Sequence, residues 1–432
     1  MLQKIKNIFW HLPKNFLISL KYGFPAKKLI LIGITGTDGK TTTCNLVHRV
    51  LINSGIKAGL ISTIGAQIGS SEYKTKLHMT SPDPSIIQKL LSQMVKENVT
   101  HVVLEITAHA LDQSRFLGCK FKVAGITNTS HEHMDYFHNL DNYIDTKAKL
   151  FNLSDIAILN KDDQSFNQIK KQISKSVITY GINSKSNYQA TNIKMDSKEL
   201  SFKVNDLKIT TNSNFRYQIY NILLTLSIID NLKINSQILI DTVKNFPQIR
   251  GRVEEFVNNL KFRTLIDFAH TPAALKTVLS SLKENTTGKL IVIFGATGGR
   301  DKTKRPIMGK VVSEIANIAI ITSDDTRNEK IEDINKEIIS GIDEKYKFID
   351  YKLMENSSDL NKTIKLAQEE FIYFDVPNRQ DAFNLAIKLA QANDTVIACG
   401  KGHETTILHG NTEYPWSESE AYRTAFRYKN TN

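Results

Sequence analysis

A glycine-rich stretch near the start of the chain, GITGTDGKTTT at residues 33–43, has the residue types of a phosphate-binding loop. It follows an apolar run typical of a buried strand and precedes a helical pattern, which is the context that such a loop requires. Glycines let backbone N–H groups approach phosphate oxygens, and the positive end of the following helix adds to this attraction. We expect Lys40 to contact the terminal phosphates and the Thr41 hydroxyl to hold Mg²⁺.

The spacing within this loop is unusual. Only Thr37 and Asp38 separate Gly36 from Gly39, which is shorter than the usual spacing, although Gly33 restores a longer frame. The pattern alone leaves open a general nucleotide switch, a motor or a more specialised enzyme. No separate apolar strand ending in aspartate is evident, which disfavours the switch and the motor.

Polar residues also follow two later apolar runs in this half of the chain. Glu105 lies near the end of the run VVLEIT, and His131, His133 and Asp135 follow the next apolar run. A carboxylate at a strand end can hold a second cation, or it can simply be solvated. Histidines suit Mg²⁺ or Mn²⁺ only moderately because these ions prefer oxygen ligands. Each histidine taken alone is also compatible with an ordinary loop residue.

Three polar loops follow apolar runs in the second half, at residues 294–306, 322–329 and 398–406. The first loop is glycine-rich and basic. The second is acidic with one arginine, and the third is mixed. If the sheet is parallel, the three loops meet in one crevice at its edge. Basic, acidic and carbonyl groups together suit a zwitterionic ligand such as an amino acid. Three unrelated surface loops are the alternative, which is less consistent with three preceding apolar strands.

The apolar patterns predict the elements that position these residues. Strand-like and helix-like runs alternate, which predicts parallel sheets covered by helices on both faces. Residues 175–212 instead have short β-like segments between polar turns. We predict an α/β protein with a P-loop-type central domain containing a parallel sheet at 29–246. A Rossmann-like doubly wound C-terminal domain follows at 247–432, and a basic amphipathic leader precedes both at 1–28.

The composition limits the class of protein. Of 432 residues, 41% are hydrophobic and 23% are charged, and the net charge is +12. The three cysteines lack CxxC spacing, so neither a disulfide framework nor a zinc site is expected. No apolar run is long enough for a membrane span. We expect a cytoplasmic protein that binds phosphate or carboxylate ligands and, lacking nucleic-acid motifs, no nucleic acid.

The leader, residues 1–28, supplies half of the net charge through six lysines and contains no acid. It lacks the continuous apolar core and cleavage site of a signal peptide. Pro13 is predicted to interrupt its helix. The pattern favours a helix packed on the following domain; the alternative is a helix on a membrane surface with lysines toward anionic lipid. Four apolar residues fall on one helical face: Leu2, Ile5, Phe9 and Leu12.

Together these motifs resemble the Mur ligase family of ATP-dependent amino-acid ligases in peptidoglycan assembly, and within it the MurE type. The resemblance runs from about residue 29 to the C-terminus and keeps the family's order. The usual N-terminal domain, which holds a uridine nucleotide, has no counterpart, so the acceptor's carrier is left open between uridine nucleotide and lipid. The matching motifs are TGTDGKTTT, TSPDP, LEITAHALDQSR, TNTSHEHMDYF, YIDTKAKLF, GRVEEF, DFAHTP, GGRDKTKRP, SDDTRNE and GKGHE.

The resemblance implies a role for each matching residue. Those implied for ATP are Gly36, Thr37, Asp38, Gly39, Lys40, Thr41, Thr42, Asn221, Arg252, Asp267 and His270, with Asp267 at the ribose. Those implied for two Mg²⁺ ions are Thr41, Glu105, His133 and Lys147, the last as a carbamate formed with CO₂. Lys40, Lys147 and His133 are the implied catalytic residues. Those implied for the muramyl-peptide acceptor are Thr80, Ser81, Thr107 and Arg115. Those implied for the incoming amino acid are Arg300, Asp325, Arg327, Gly400 and Glu404.

The implied reaction activates the acceptor's carboxylate with ATP as an acyl phosphate, which an amine then attacks. We predict meso-diaminopimelate rather than lysine, because an arginine at the position of Arg327 accompanies its second carboxylate in the family. Glu404 would receive the distal ammonium. Three departures from the family pattern stand out: Asp38 replaces an asparagine, Asp325-Thr326 replaces Asn-Pro, and Thr107-Ala108 replaces a serine pair.

Other functions remain as alternatives. One is a different ligase of the same superfamily, of folylpolyglutamate or amidotransferase-partner type. Another is a nucleotide-binding scaffold without ligase activity. Lys149 is expected to face solvent, as most helical lysines do. We expect a monomer, with peripheral contact at the inner membrane surface through the leader as a further expectation.

Overall fold

The computed structural model describes residues 6–431 except 70, 74–80, 197–198, 214 and 257. The chain forms two compact units. The first comprises the residues up to Ser130 together with Tyr136–Pro247, and the second comprises His131–Asp135 together with the residues from Gln248 onward.

The first unit is built on one large sheet. Its described strands are β1 (Ile30–Thr35), β2 (Ala58–Ser62), β3 (Gly65–Ile68), β4 (Ser71–Tyr73), β5 (His101–Glu105), β6 (Phe121–Ile126), β7 (Ser154–Asn160), β8 (Val177–Gly181), β9 (Tyr188–Met195), β10 (Leu200–Val204) and β11 (Leu207–Thr211). Across the sheet they are ordered β11-β10-β9-β8-β7-β6-β1-β5-β2-β3-β4. The strands from β9 to β2 in this order are parallel, and antiparallel pairs extend both edges. The predicted parallel sheet is therefore confirmed.

Helices cover both faces of this sheet, and each face carries its own apolar core. β1 lies in the middle with no exposed residue beyond its first, because its apolar side chains are buried on both faces. The described helices before Pro247 are α1 (Leu12–Lys21), α2 (Lys40–Asn53), α3 (Pro84–Lys96), α4 (Ala108–Asp112), α5 (Met134–Phe137), α6 (Leu140–Asn152), α7 (Phe166–Lys171), α8 (Gln218–Asn231) and α9 (Ser236–Lys244), with a 3₁₀ turn at Pro25–Lys28.

Two details differ from what the sequence predicts. The run HALDQSRFLG at residues 109–118 predicts a helix along its whole length. The helix α4 instead ends at Asp112, because Ser114 adopts a left-handed φ of 51° and turns the chain. Pro13 does not interrupt the leader helix: a π-helical segment, Asn7–His11, continues directly into α1. Pro13 lies in the first turn of α1, where a missing N–H is tolerated. Leu2 and Ile5 lie outside the described residues.

The second unit contains a doubly wound sheet, which confirms the Rossmann-like prediction. Its described strands are β12 (Glu254–Glu255), β13 (Arg263–Asp267), β14 (Leu290–Phe294), β15 (Ile318–Ile321), β16 (Lys347–Phe348), β17 (Ile372–Asp375) and β18 (Thr395–Cys399), with a separate hairpin of β19 (Thr406–His409) and β20 (Thr412–Pro415). The order is β12-β13-β18-β14-β15-β17-β16, and all neighbours except β12 and β13 are parallel.

The helices of this unit pack around that sheet and share its apolar core. They are α10 (Pro272–Glu284), α11 (Lys304–Ile315), α12 (Ile331–Ile339), α13 (Ser357–Glu369), α14 (Arg379–Leu389) and α15 (Glu418–Thr431), with a 3₁₀ turn at Tyr351–Glu355. Because β14, β15 and β18 are parallel and lie side by side, their carboxyl ends meet at one edge, where ligands bind in such sheets.

Candidate active site

The glycine loop of the first unit connects β1 to α2, as its sequence predicts. Gly36 has a φ of 143° and Gly39 a φ of 78°, a region that other residues rarely adopt. A Cβ atom at Gly36 would collide with the side chain of Thr127. The backbone N–H of Thr37 donates to the carbonyl of Asn128 at 2.8 Å, which ties the loop to the end of β6. The loop is thus held open by glycine and fixed by a neighbouring strand.

Lys40 and Thr41 begin α2 at the end of this loop. The Lys40 Nζ donates to the carbonyl of Thr37 at 2.6 Å, so its ammonium lies over the loop. The Thr41 hydroxyl donates to the buried carboxylate of Glu105 at 3.0 Å. Thr63 also donates to this carboxylate, through its hydroxyl at 2.8 Å and its N–H at 2.9 Å. Thr63 is not among the residues predicted from the sequence, where its only signal is its place after a buried strand.

Lys147 reaches the same loop from α6. Its side chain is 1% exposed, and its Nζ donates to the carbonyl of Gly36 at 2.7 Å. The Nζ also lies 4.2 Å from the ring centroid of Tyr143, a favourable cation–π contact. The structure therefore places Lys147 beside the glycine loop, whereas Lys149 on the same helix is half exposed and pairs with Asp112 at 3.1 Å.

The oxygen atoms around Thr41 suit Mg²⁺, which prefers oxygen ligands and retains some of its own water. The residues that the structure describes contain no group of three or more His, Cys, Asp or Glu side chains placed to hold a metal. Of the implied Mg²⁺ ligands, Thr41 and Glu105 contact each other directly. His133, the other implied ligand, lies in the segment assigned to the second unit, with a left-handed φ of 59° and its Nε2 3.7 Å from Glu132.

Two further residues lie along the glycine loop. The Thr43 hydroxyl donates to the Asn221 Oδ1 at 3.2 Å, and this oxygen occupies the space that a Cβ at Gly39 would need. Asn221 therefore contacts the loop, which is consistent with the implied position near ATP. Thr42 is buried at the start of α2.

Asp38 is held through its backbone. Its N–H donates to the Asn128 Oδ1 at 3.0 Å, and its carbonyl accepts from the Asn128 Nδ2 at 3.1 Å and from the Thr127 hydroxyl at 2.6 Å. None of these bonds requires a carboxylate, so an asparagine at this position could form all three.

We therefore expect Asp38→Asn to keep kcat/KM within about threefold of the parent or to raise it. The substitution preserves the shape of the loop and removes a negative charge near bound phosphate. Initial rates at saturating and limiting ATP would measure the effect, with thermal unfolding as the control for folding. A severe loss of activity would show that the Asp38 carboxylate has a role of its own.

The residues implied for the acceptor form a second group in the first unit. The Ser81 hydroxyl donates to the carbonyl of Glu105 at 3.1 Å and accepts from the N–H of Thr107 at 3.1 Å. The Arg115 Nη1 donates to the carbonyl of Ser81 at 2.5 Å. Ser81, Thr107 and Arg115 therefore lie together and next to the Glu105 strand end. Thr80 lies outside the described residues.

In the second unit, the residues implied for the nucleotide surround the end of β13. The Arg252 guanidinium lies 4.8 Å from the ring centroid of Phe268. Asp267 accepts from the N–H of Ala269 at 2.7 Å, and burial raises the pKa of its carboxyl. The His270 Nδ1 lies 2.8 Å from the carbonyl of Phe268. The structure therefore brings Arg252, Asp267 and His270 to one strand end.

A buried lysine organises the loops after β15 and β18. The Lys401 Nζ pairs with Asp325 at 2.7 Å and with Glu404 at 2.5 Å, and Asp324 lies at 3.9 Å. Burial alone would lower the pKa of Lys401, but these three carboxylates raise it. Burial raises the pKa of Glu404, and the Lys401 charge opposes that shift. The negative charge that Asp325 adds relative to the family pattern is thus balanced by Lys401.

Arg327 lies in the same crevice with a left-handed φ of 51°. Its N–H donates to the carbonyl of Leu408 at 3.3 Å, and its carbonyl accepts from the N–H of Gly410 at 2.7 Å. Its Nε is buried and, among the described residues, has no hydrogen-bond partner. Partial burial and the neighbouring charge of Arg327 lower the pKa of Arg300. The guanidinium groups of Arg300 and Arg327 and the unsatisfied Nε–H of Arg327 favour an anionic ligand. Gly400, with a φ of 110°, lies beside Asp324 in the same crevice.

A buried ion pair beneath this crevice was not predicted. Arg379 and Glu418 are each 1% exposed and pair at 2.6 Å. The same guanidinium donates to the carbonyls of Ser323 at 2.8 Å and Cys399 at 2.9 Å. It therefore joins the ends of β15 and β18. Neither residue belongs to a sequence motif, so no local signal identified the pair.

Family models of known proteins match both halves of the chain. The model of the Mur ligase middle domain matches residues 34–229, and that of the Mur ligase glutamate ligase domain matches residues 251–402. The chain is 35% identical over 405 residues to UDP-N-acetylmuramoyl-L-alanyl-D-glutamate–2,6-diaminopimelate ligase 1 of Clostridium acetobutylicum, covering 92% of this chain and 78% of that relative.

Two solved structures show the same architecture. A UDP-N-acetylmuramoyl-L-alanyl-D-glutamate–2,6-diaminopimelate ligase superimposes with a TM-score of 0.60 at 25% identity, over 93% of this chain and 79% of that one. Folylpolyglutamate synthase of Mycobacterium tuberculosis superimposes with a TM-score of 0.68 over 90% and 92%, but at 14% identity this shows the fold alone. The chain therefore belongs to the Mur ligase family of ATP-dependent acid–amino-acid ligases, as its motifs predict.

Proposed function

We propose that this protein is an ATP-dependent ligase of the MurE type that adds meso-diaminopimelate to a muramyl-dipeptide acceptor in peptidoglycan synthesis. The observation that carries the proposal is the 35% identity, over 405 residues, to a relative named as a diaminopimelate ligase. The positions of Lys40, Thr41 and Glu105 in the first unit support nucleotide use, and the Arg327 crevice in the second supports an anionic amino acid.

The first step joins the acceptor carboxylate to the γ-phosphoryl group of ATP. A carboxylate oxygen forms the new bond to phosphorus, and ADP leaves with the electron pair of the broken bond. The loop N–H groups and the Lys40 ammonium stabilise the charge on the phosphates. Thr41, Glu105, His133 and Lys147 would hold Mg²⁺ in two sites, with Lys147 as a carbamate. Bound Mg²⁺ supplies further positive charge at the transferred group.

The second step forms the amide bond. The amino nitrogen attacks the activated carbonyl carbon, a proton is released, and inorganic phosphate leaves with the carbon–oxygen electron pair. Ser81, Thr107 and Arg115 would position the acceptor. Preorganised donors and a fixed orientation of the amine are the contributions that the protein makes to this step.

Arg327 is proposed to select diaminopimelate by pairing with its distal carboxylate. We expect Arg327→Ala to lower kcat/KM for diaminopimelate about a hundredfold, since a charge-assisted pair is lost. The same change should alter kcat/KM for lysine less than about threefold, because lysine has no carboxylate at that end. Parallel initial-rate measurements with both amino acids give the ratio.

The control for this prediction is Arg423→Ala, since Arg423 is a half-exposed arginine on α15 of the same unit. In this variant the ratio of kcat/KM for diaminopimelate to kcat/KM for lysine should equal that of the parent. Equal or better use of lysine by the parent protein would contradict the choice of diaminopimelate. An equal loss for both amino acids in Arg327→Ala would contradict the proposed role of Arg327.

The KM for diaminopimelate is expected to depend on pH through Glu404. It must be a carboxylate to receive the distal ammonium, and burial, partly opposed by Lys401, raises its pKa. As the pH falls through this raised value the carboxylate is protonated, so KM for diaminopimelate should rise at a higher pH than an ordinary glutamate allows. KM measured from neutral to acidic pH should show this rise in the parent and not in Glu404→Gln. The same acidic rise in both proteins would exclude Glu404 as its source.

The function itself is tested by phosphate release. Purified protein is given ATP, Mg²⁺ and a panel of acceptors, namely muramyl dipeptides with and without the uridine carrier and a folate, each with diaminopimelate, lysine, glutamate or no amino acid. We expect release only when a muramyl-dipeptide acceptor and diaminopimelate are both present. Release with a folate acceptor and glutamate would favour the folylpolyglutamate alternative. Release that depends on neither substrate would favour a non-ligase scaffold.

The proposal further includes a monomeric state and peripheral contact of the leader with the inner membrane surface. The described helices include none that is long and apolar enough to cross a membrane. Sedimentation velocity across a concentration series would test the monomer, because a tight dimer gives a larger coefficient throughout and a reversible dimer gives one that rises with concentration.

A further inference from the structure

The helical part of the leader, Asn7–Lys21, packs on the first unit through polar side chains. The Asn7 Nδ2 donates to Asp112 at 2.6 Å, and the Asn15 Nδ2 donates to the carbonyls of Gln113 at 2.8 Å and Ser114 at 3.1 Å. Asn15 is 2% exposed. The helix is thus fixed by hydrogen bonds to the turn that follows α4. This orientation is the inverse of an ordinary amphipathic helix, which buries its apolar face.

The opposite face of the same helix is apolar and open. Phe9 and Trp10 of the π-helical segment and Phe16 and Leu17 of α1 are exposed, whereas Asn7, Asn15 and Ser19, which face the first unit, are buried. Large side chains that are exposed singly are normal, but a contiguous apolar patch marks an interaction surface. Six of the fourteen exposed large apolar side chains in the described residues fall on this helix: Phe9 76%, Trp10 64%, Leu12 43%, Phe16 50%, Leu17 63% and Leu20 55%.

Exposed lysines flank this apolar surface. The described part of the leader contains five of them and no acid: Lys6, Lys14, Lys21, Lys27 and Lys28. An apolar face with an aromatic side chain and flanking lysines is the arrangement by which a helix lies in the interface of an anionic membrane. A protein partner would not require this uniform positive charge.

The leader is also next to the residues proposed for the acceptor. Lys14 pairs with Asp83 at 3.3 Å, two residues after Ser81. Gln113, whose carbonyl binds Asn15, also accepts from the Arg115 guanidinium through its side chain at 2.7 Å. A bilayer bound by the leader would therefore lie close to the acceptor residues of the first unit.

We propose that the apolar face defined by Phe9, Trp10, Phe16, Leu17 and Leu20 is a docking surface for an anionic lipid bilayer. The docking does not depend on ligase chemistry. Its consequence, that a lipid-linked acceptor is presented at this surface, rests on the proposed function. The occupant is the bilayer rather than a second copy of the chain or another protein.

The test uses the full chain and vesicles of phosphatidylglycerol and phosphatidylcholine in equal amounts. The chain has two tryptophans, so Trp416→Phe leaves Trp10 as the sole reporter. We expect Trp10 emission to shift to the blue on vesicle addition, and the binding to weaken as salt is raised. Leu17→Glu in this background should weaken vesicle binding about tenfold or more, because it places a charge in the buried face.

Leu353→Glu is the matched control, since Leu353 is 52% exposed in the second unit and the change in charge is the same. It should bind vesicles as the parent does. A second variant, Lys27→Gln with Lys28→Gln, should weaken binding to anionic vesicles while retaining the folded state. Circular dichroism checks that each variant is folded, and the ligase rate on a soluble acceptor checks its activity. This ligase rate should remain unchanged for Leu17→Glu.

Three outcomes would overturn the inference. One is the absence of a Trp10 shift and of co-sedimentation with anionic vesicles. Another is equal vesicle binding by Leu17→Glu and Leu353→Glu. A third is a concentration-dependent dimer that Leu17→Glu abolishes, which would assign the face to a second copy. If the parent protein binds vesicles but shows no ligase activity with any acceptor, the proposed function is contradicted and the docking surface remains supported.

Discussion

Replacing Lys147 with alanine is expected to lower kcat/KM about a thousandfold, the upper range for loss of one preorganised electrostatic group. The side chain is buried, and its Nζ contacts the carbonyl of Gly36 at 2.7 Å and lies over the Tyr143 ring. A lysine held in this way beside a phosphate-binding loop is placed to act on charge at the phosphates. Alanine removes that group without adding a charge, and steady-state kinetics with ATP varied would measure the loss.

Two substitutions separate the carbamate from the simple ammonium. Lys147→Arg keeps a positive charge that CO₂ does not convert to a carbamate, so a loss as large as that of alanine supports the carbamate. Recovery of activity by arginine would support a cation instead. Carbon NMR with ¹³C-bicarbonate should show a carbamate resonance in the parent protein that Lys147→Arg lacks.

Lys149→Ala is the matched control. This lysine lies two residues away on the same helix, is half exposed and pairs with Asp112. Such surface pairs contribute little, so its kcat/KM should remain within about twofold of the parent. If Lys147→Ala retained a third or more of the activity, Lys147 would not have a catalytic role.

Arg379→Leu is expected to destabilise the second unit by about 3–5 kcal/mol, because it leaves the Glu418 carboxylate buried without its partner. The loss extends beyond one ion pair. The Arg379 guanidinium also binds the carbonyl of Ser323, two residues after β15, and that of Cys399, the last residue of β18. These carbonyls lie just before the Asp324 and Lys401 loops. We therefore expect KM for the amino acid to rise as well, even at temperatures where the protein stays folded.

Urea unfolding measures this effect. In a Trp10→Phe background Trp416 is the sole tryptophan. Its Nε1 donates to Glu418 at 2.9 Å, so its fluorescence reports on the second unit near the ion pair. Arg423→Leu is the control, because Arg423 forms an exposed pair with Glu420 on the same helix and should cost about 1 kcal/mol or less. A similar midpoint for both variants would contradict the structural role given to Arg379.

Much of the fold and of the site could be predicted from local sequence. The strand, loop and helix around Lys40 have a strong apolar pattern, and the polar loops of the second half follow strands whose neighbours are parallel. Parallel strands end at the same edge, so the meeting of Asp325, Arg327 and Lys401 follows from order and pattern. The roles of individual residues came from the family resemblance rather than from spacing.

The parts that local sequence did not predict depend on long-range contacts. Thr63 binds Glu105 only because β2 and β5 are neighbours in the folded sheet. Likewise, Asn128 binds the backbone of Asp38 only because β6 lies beside β1. Periodicity predicts which leader residues share a face but not which face is buried. The structure buries Asn15, because the turn after α4 presents carbonyls that require donors.

The central claim, that this chain activates an acceptor carboxylate as an acyl phosphate for attack by diaminopimelate, has one direct measurement. A muramyl-dipeptide acceptor labelled with ¹⁸O in both oxygens of its terminal carboxylate is incubated with the protein, ATP, Mg²⁺ and diaminopimelate, and the products are analysed by mass spectrometry. We predict that each turnover transfers one ¹⁸O atom to inorganic phosphate and leaves the other in the new amide. Unlabelled phosphate, or phosphate released without the amide product, would contradict the account.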